Sequence, residues 1–274
     1  MDSSIFLAVE AALPSIPRTV ALLLAELDRP GAEGLDLQRI NQLVAGDPVL
    51  AARILQRANA PDFLLQRQVA GVPQALALLS REQLRGVVAA VPVGGSLQAV
   101  PGVDLRQFWR YSRRVARQVR SLAGLVHQDQ TAAATAGLLH ALGELAMVRA
   151  EPARMLRVDA LAGPLDPRRA RAEQRLFGHS YAQVSAALAR HWQLPATVID
   201  ALEHQHAPFD SDSYEPLAGV VHLASWCARA RSSGLGEREM TVSFPAEVGL
   251  ALSLDIDMVL QQDPFDWTGA QDRH

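Results

Sequence analysis

Histidine offers this chain the most chemistry at neutral pH, and it is unevenly placed. Of eight histidines, His127, His140, His179, His191 and His204 fall on predicted helices or at their ends, and His206 follows His204 by two residues. Neutral imidazole is a common ligand for divalent metals, so this density raises a metal site as one reading. The competing reading is structural. His140 then packs at the centre of a helical domain with one ring nitrogen hydrogen-bonded, and His204 and His206 belong to a polar helix end.

Arginine supplies the second pattern. Arg106, Arg110, Arg113, Arg117 and Arg120 follow one another at spacings of four, three, four and three. At about 100° per residue they share an arc of roughly 80° on one helix. Guanidinium forks bind carboxylate and phosphate in a bidentate way, so this face suits an acidic protein surface, a nucleotide or a nucleic acid. Asp104 is the only carboxylate on the same helix. The plainer alternative is a solvated face paired with acidic residues elsewhere, such as Glu33 or Glu144. A second cluster, Arg168, Arg169, Arg171 and Arg175, reads as solvated helix surface with Glu173 as an internal partner.

Other chemistry is closed off by composition. There is no Lys among the 26 basic residues, which excludes Schiff-base and phosphate-loop lysines. Cys227 is the only cysteine, so neither an internal disulfide nor a thiolate zinc site can form, and it is expected in the core. The net charge of −3 argues against DNA binding by the whole surface. No nucleophile elbow occurs, and the segment Pro92-Val93-Gly94-Gly95-Ser96 lacks the spacing of a phosphate loop. Phe108, Trp109, Phe177 and Trp192 sit among apolar helical neighbours and read as core.

The elements that must position these groups are helices. The chain holds 45 Ala and 39 Leu in 274 residues, the types that lose least entropy in a helix. Apolar residues recur at helical spacing over Ser15–Leu27, Asp36–Ala45, Gly46–Asn59, Val72–Leu79, Arg81–Val91, Asp104–Val126, Gln130–Leu139 and Gly143–Leu156. They continue over Pro167–Phe177, Ser180–Trp192, Pro195–His204, Pro216–Arg231 and Ala246–Leu254. Asp47 caps one helix and Pro48 fits its first position. Met240–Phe244 is the best strand candidate. The small-residue stretch Pro92–Gly102 predicts a boundary between two helical units. The apolar runs are too short for a spanning helix and the N-terminal segment does not read as a signal peptide, so a cytoplasmic protein without a membrane partner is expected.

The order of segments carries a resemblance. Leu13-Pro14-Ser15-Ile16-Pro17 is followed by Gly46-Asp47-Pro48 through Ala58-Asn59, then by Val72-Pro73-Gln74-Ala75-Leu76 with Leu84-Arg85. Phe108-Trp109-Arg110-Tyr111-Ser112, Ala136-Gly137-Leu138-Leu139-His140, Phe177-Gly178, Trp192-Gln193-Leu194-Pro195 and Val221-His222-Leu223-Ala224 complete the series. In this the chain resembles the HDOD family, a regulatory branch related to the HD-domain metal phosphohydrolases, over about Leu13 to Ala230. The resemblance implies an all-α fold, an HD-domain-like helical bundle with an N-terminal helical subdomain. Residues 13–95 would form that subdomain, 103–232 the bundle, and 233–274 a C-terminal tail with one or two short helices and a frayed end.

It also implies what the metal site should contain. Catalytic HD relatives use a His on one helix, a His-Asp pair on the next and a late Asp. Tyr111 stands at the first His, His140 is kept, Ala141 replaces the paired Asp, and Ser225 replaces the late Asp. Tyr181 replaces a further His, and Gln205 interrupts a His pair between His204 and His206. A phenol, a methyl group and a hydroxyl do not supply the carboxylate charge that holds a hard divalent cation. The expected protein is therefore a non-catalytic regulatory module without a cofactor. It would meet signalling proteins through Arg106, Arg110, Arg113, Arg117 and Arg120. A residual metal-dependent phosphohydrolase and a non-catalytic nucleotide receptor remain the alternatives.

Overall fold

The computed structural model describes residues 4–29, 34–92, 100, 102–210 and 214–262. Helices α1 (Ser4–Ala8), α2 (Pro17–Leu27), α3 (Leu37–Val44), α4 (Pro48–Ala58), α5 (Val72–Leu78) and α6 (Arg81–Ala90) precede the long α7 (Leu105–Leu125). Next come α8 (Gln130–Leu139), α9 (Leu142–Ala150), α10 (Pro152–Leu161), α11 (Arg169–Phe177), α12 (Tyr181–His191), α13 (Ala196–His204) and α14 (Pro216–Ser232). Three short helices, α15 (Glu237–Ser243), α16 (Ala246–Leu252) and α17 (Ile256–Gln261), follow. Among the described residues there is no strand, and the fold is all-α.

Two expectations fail for local reasons. Met240–Phe244 is not a strand: its first residues belong to α15, which pins Met240 fully buried and leaves Val242 exposed. Gly143–Leu156 is two helices, because Pro152 has no amide to continue α9 and instead starts α10. Among the described residues the tail thus carries three helices rather than one or two. Most of the Pro92–Gly102 segment, and the expected frayed end, lie outside the described residues.

Helix starts follow their caps. The Asp47 carboxylate accepts the Leu50 amide at 3.0 Å and Pro48 takes the first position of α4. The same carboxylate accepts the Ser15 hydroxyl and the Ile16 amide, so one buried side chain fixes both α4 and the entry to α2. Burial pushes its pKa up, against the pull of those donors. Asp104 caps α7 and Asp129 caps α8 in the same way.

One hydrophobic core runs through α2–α6 and the bundle alike. In the bundle α7 packs on α8 and α14, and α12 on α9 and α13. The segment Gln130–Ala150, α8 and α9 together, holds an 18-residue window apolar enough by composition to cross a membrane, and 83% of that window is buried inside the protein. Its apolarity serves the bundle interior. Glu10 joins the two units: it accepts Arg53 of α4 and the Trp192 indole at 2.9 Å, and lies 3.3 Å from His191. Cys227 is buried within α14, as expected.

Candidate functional site

The α8–α9 elbow places His140 at the bundle centre with no exposed surface. Its Nδ1 lies 2.8 Å from the Gly137 carbonyl. A carbonyl only accepts, so Nδ1 carries the proton and Nε2 is left as the bare nitrogen. Nε2 has no hydrogen-bond partner among the described residues. The His140 carbonyl accepts the Ser185 hydroxyl at 3.1 Å and the Gln205 amide at 3.0 Å. Gln205 is therefore more than a gap between two histidines: it ties the end of α13 to this elbow. Gly143 lets α9 approach α12 closely, since a Cβ there would sit 2.1 Å from the Tyr181 carbonyl.

Around His140 stand the other expected positions. The Tyr111 ring on α7 is 5.4 Å away, and Tyr181 at the start of α12 meets His206 edge-on at 4.8 Å. Ala141 and Ser225 are buried, and the Ser225 hydroxyl has no described partner. His204 is half-buried at the end of α13, and no described hydrogen bond or ring contact links it to His140. The remaining histidines disperse. His179 packs on Phe6, His191 pairs with Glu10, and His127 sits past the end of α7.

Two residues join the cluster that sequence reasoning did not place there. His222 on α14 donates to the Gln205 carbonyl at 2.8 Å. Arg229, also on α14, brings its charge to bear on Tyr111, His140, His206, His222 and Tyr181. The spacing His222, Ser225, Arg229 puts all three on one helix face, which is the signal that could have found them. His140 is pushed down to about 4 and His206 to about 3, by burial first and with the Arg229 charge contributing to both. Burial raises both phenols. The cluster is one of neutral rings around a protein-supplied cation.

That donor set does not suit a divalent metal. His140 offers one bare nitrogen, no carboxylate replaces the missing Asp at Ala141 or Ser225, and the Arg229 charge opposes a second cation. No group of three His, Cys, Asp or Glu among the described residues converges as a metal site would.

Beside the cluster opens a cavity of about 550 Å³, with Tyr111, Ala141 and Glu144 in its lining together with Arg110, Arg114 and Arg231. Its floor corrects the solvated reading of the second arginine cluster for Arg169 alone; Arg168, Arg171 and Arg175 are exposed as expected. Arg169 is 3% exposed and contacts Glu144 and Asp159 at 2.8 Å and Glu173 at 3.2 Å. Glu173 is wholly buried, accepts the Tyr181 amide at 2.7 Å, and is pushed by burial up to about 8. Glu144 pairs with Arg169, and Glu33 lies outside the described residues.

The arginine face is as the spacing implies: Arg106, Arg110, Arg113, Arg117 and Arg120 are exposed, and Leu105, Trp109, Val115, Val119 and Leu122 are buried opposite. It is not a single surface, because Arg110 lines the cavity above while Arg113, Arg117 and Arg120 line a different groove.

The sequence profile of the HDOD domain matches residues 13–208. The chain belongs to the HDOD family. An uncharacterized protein of Treponema pallidum (strain Nichols) is 24% identical over 230 residues, which are 79% of this HDOD chain and 42% of the relative. This chain thus matches less than half the length of that relative. The crystal structure of a fragment of the MmoQ response regulator from Methylococcus capsulatus (Bath) is similar at 25% identity and a TM-score of 0.69, covering 90% of this chain and 94% of that one. A protein of Shewanella amazonensis SB2B, provisionally named a phosphohydrolase, is 27% identical with a TM-score of 0.54, covering 95% and 94%. Membership of the HDOD family and likeness to a response regulator support a regulatory role for this chain.

Proposed function

We propose that this HDOD protein is a non-catalytic module of bacterial signal transduction, acting in the cytoplasm by contact with a protein partner that offers an acidic surface to α7. One observation carries the reading. Where a hydrolytic relative would need carboxylates and a metal, this bundle holds Tyr111, Ala141 and Ser225 around a neutral His140, with the Arg229 guanidinium as the cation. Without carboxylates to hold a metal, this site would not generate a metal-bound water as the nucleophile. The response-regulator relative agrees with a signalling role.

Metal analysis of the purified protein, with phosphodiester hydrolysis assayed in added manganese, tests the non-catalytic part. Substoichiometric metal and no turnover are expected. Stoichiometric metal that is lost in His140→Ala, with turnover to match, would overturn it. For the contact, Arg106→Glu with Arg110→Glu should weaken binding to the identified partner without lowering the melting temperature; unchanged binding rejects the arginine face.

The cavity beside Tyr111 favours a second reading, a receptor for a nucleotide that is bound and not cleaved. About 550 Å³ is within the usual range for small-molecule sites, and Arg110, Arg114 and Arg231 are suited to phosphate. A nucleotide at about 100 times its Kd would add about 2.7 kcal/mol of stability, so a thermal-shift panel decides it. A flat response across the panel removes this reading.

A further inference from the structure

Buried polar atoms without partners gather at the bundle centre. The Nε2 of His140, the Nε2 of His206, the Oε1 of Gln205 and the Oγ of Ser225 all lie buried with no hydrogen-bond partner among the described residues. His140, Gln205 and Ser225 are at most 3% exposed, so bulk water does not serve them. Contacts tie the group together: Gln205 donates to the His140 carbonyl, His222 donates to the Gln205 carbonyl, and His222, Ser225 and Arg229 share one face of α14. Folded proteins leave few such atoms, and several in one place mark a site that water or an ion completes.

Charge decides between the two. Arg229 is half-buried, and among the described residues no carboxylate forms an ion pair with it. Glu144 and Glu173, whose charges reach Tyr111 and Tyr181, lie 2.8 and 3.2 Å from Arg169 and are taken up there. A guanidinium drawn out of bulk water without a counter-charge is costly, and a neutral water does not supply that charge. An anion does. The hydrogen-bonding groups narrow which anion. Guanidinium N–H groups and the Ser225 hydroxyl donate, and so require acceptor oxygens. The His140 Nε2 is bare because Nδ1 faces the Gly137 carbonyl, and the Gln205 Oε1 only accepts, so both require a proton on the ligand. Chloride, sulfate and carboxylates carry no proton at neutral pH, whereas hydrogen phosphate and bicarbonate do. The cavity beside Tyr111 offers the way in, since it reaches Ala141, the residue after His140.

We propose that the bundle centre binds one small oxyanion that carries a proton, hydrogen phosphate or bicarbonate, between Arg229, Ser225 and the bare nitrogen of His140. The ion would join α14 to the α8–α9 elbow and give the bundle a chemical input at its centre. This goes beyond the protein-contact reading, and it depends neither on that reading nor on a nucleotide in the cavity.

Phosphate and bicarbonate are the probes, titrated separately by calorimetry into the full chain in a buffer free of both, with sulfate as the unprotonated comparison. Saturable one-to-one binding of one of the two is expected, about tenfold or more tighter than sulfate, which leaves the His140 Nε2 unsatisfied. Arg229→Gln should lose about tenfold or more in affinity and Ser225→Ala a smaller factor. Arg175→Gln, on the exposed face of α11, should bind as the wild type does, and the melting curve of each variant without ligand shows that it folds. In nitrogen NMR the His140 Nε2 resonance should move on saturation, as a bare nitrogen gains a hydrogen bond. No saturation by either ion at millimolar concentration overturns the proposal and leaves the site to water. So does equal affinity for sulfate, which is simple charge attraction, or a His140 resonance that stays in place. Binding that survives in both Arg229→Gln and Ser225→Ala also overturns it. None of these outcomes bears on whether α7 meets a protein.

Discussion

Acid should destabilise this protein through His206, and the size of the effect follows from its surroundings. The imidazole is buried against Tyr181, and its pKa is pushed to about 3 by burial first, then by Arg229, His222 and His140. In the unfolded chain it returns to about 6.5. The folded value is depressed, so the neutral form is the one the fold holds. As pH drops below about 6.5 the unfolded chain takes a proton that the folded chain refuses until about 3, and stability is lost across that window. From pH 7 to pH 5 one such site costs about 2 kcal/mol. His140, depressed to about 4, adds a similar loss. Glu173 works the other way. Its folded pKa is raised to about 8, so its contribution to stability grows as pH falls from there towards about 4.5. The total profile therefore mixes opposing slopes, and the clean measurement is a difference. Urea unfolding followed by circular dichroism at pH 7, 6 and 5, on wild type and His206→Phe, should show the variant gaining about 2 kcal/mol relative to wild type over that range. In Arg229→Met the His206 resonance should titrate higher than in wild type and still below 6.5, because burial is the larger cause. Parallel stability profiles, or a folded His206 that titrates near 6.5 by NMR, would refute the reasoning.

Two further perturbations probe the seam between the helical units. Glu10→Ala removes the acceptor shared by Arg53 and Trp192 and leaves a half-buried guanidinium behind, so a loss of about 3 kcal/mol is expected in urea unfolding; a loss below about 1 kcal/mol would mean the tie contributes no more than a surface pair. Gly71→Ala places a Cβ 2.0 Å from the Thr131 methyl and should cost about 1–3 kcal/mol. Most of that should return in Gly71→Ala with Thr131→Ser, which removes the methyl, and an additive double mutant would show that the clash is relieved elsewhere.

Sequence alone settled what local chemistry settles. The Asp47-Pro48 start of α4, the start of α7 at Asp104 and the buried side of α7 at Leu105, Trp109 and Val115 all follow from caps and helical spacing. The order of short motifs was enough to reach the HDOD family. What stayed hidden depends on residues far apart in the chain. Arg229 was one arginine among 26 until α14 packed beside Tyr111, and Arg169 read as surface until Glu144, Asp159 and Glu173 closed on it. A helix face can be read from spacing because its period is set by the backbone. Which charge meets which ring is set by how helices cross, and only the folded chain fixes that.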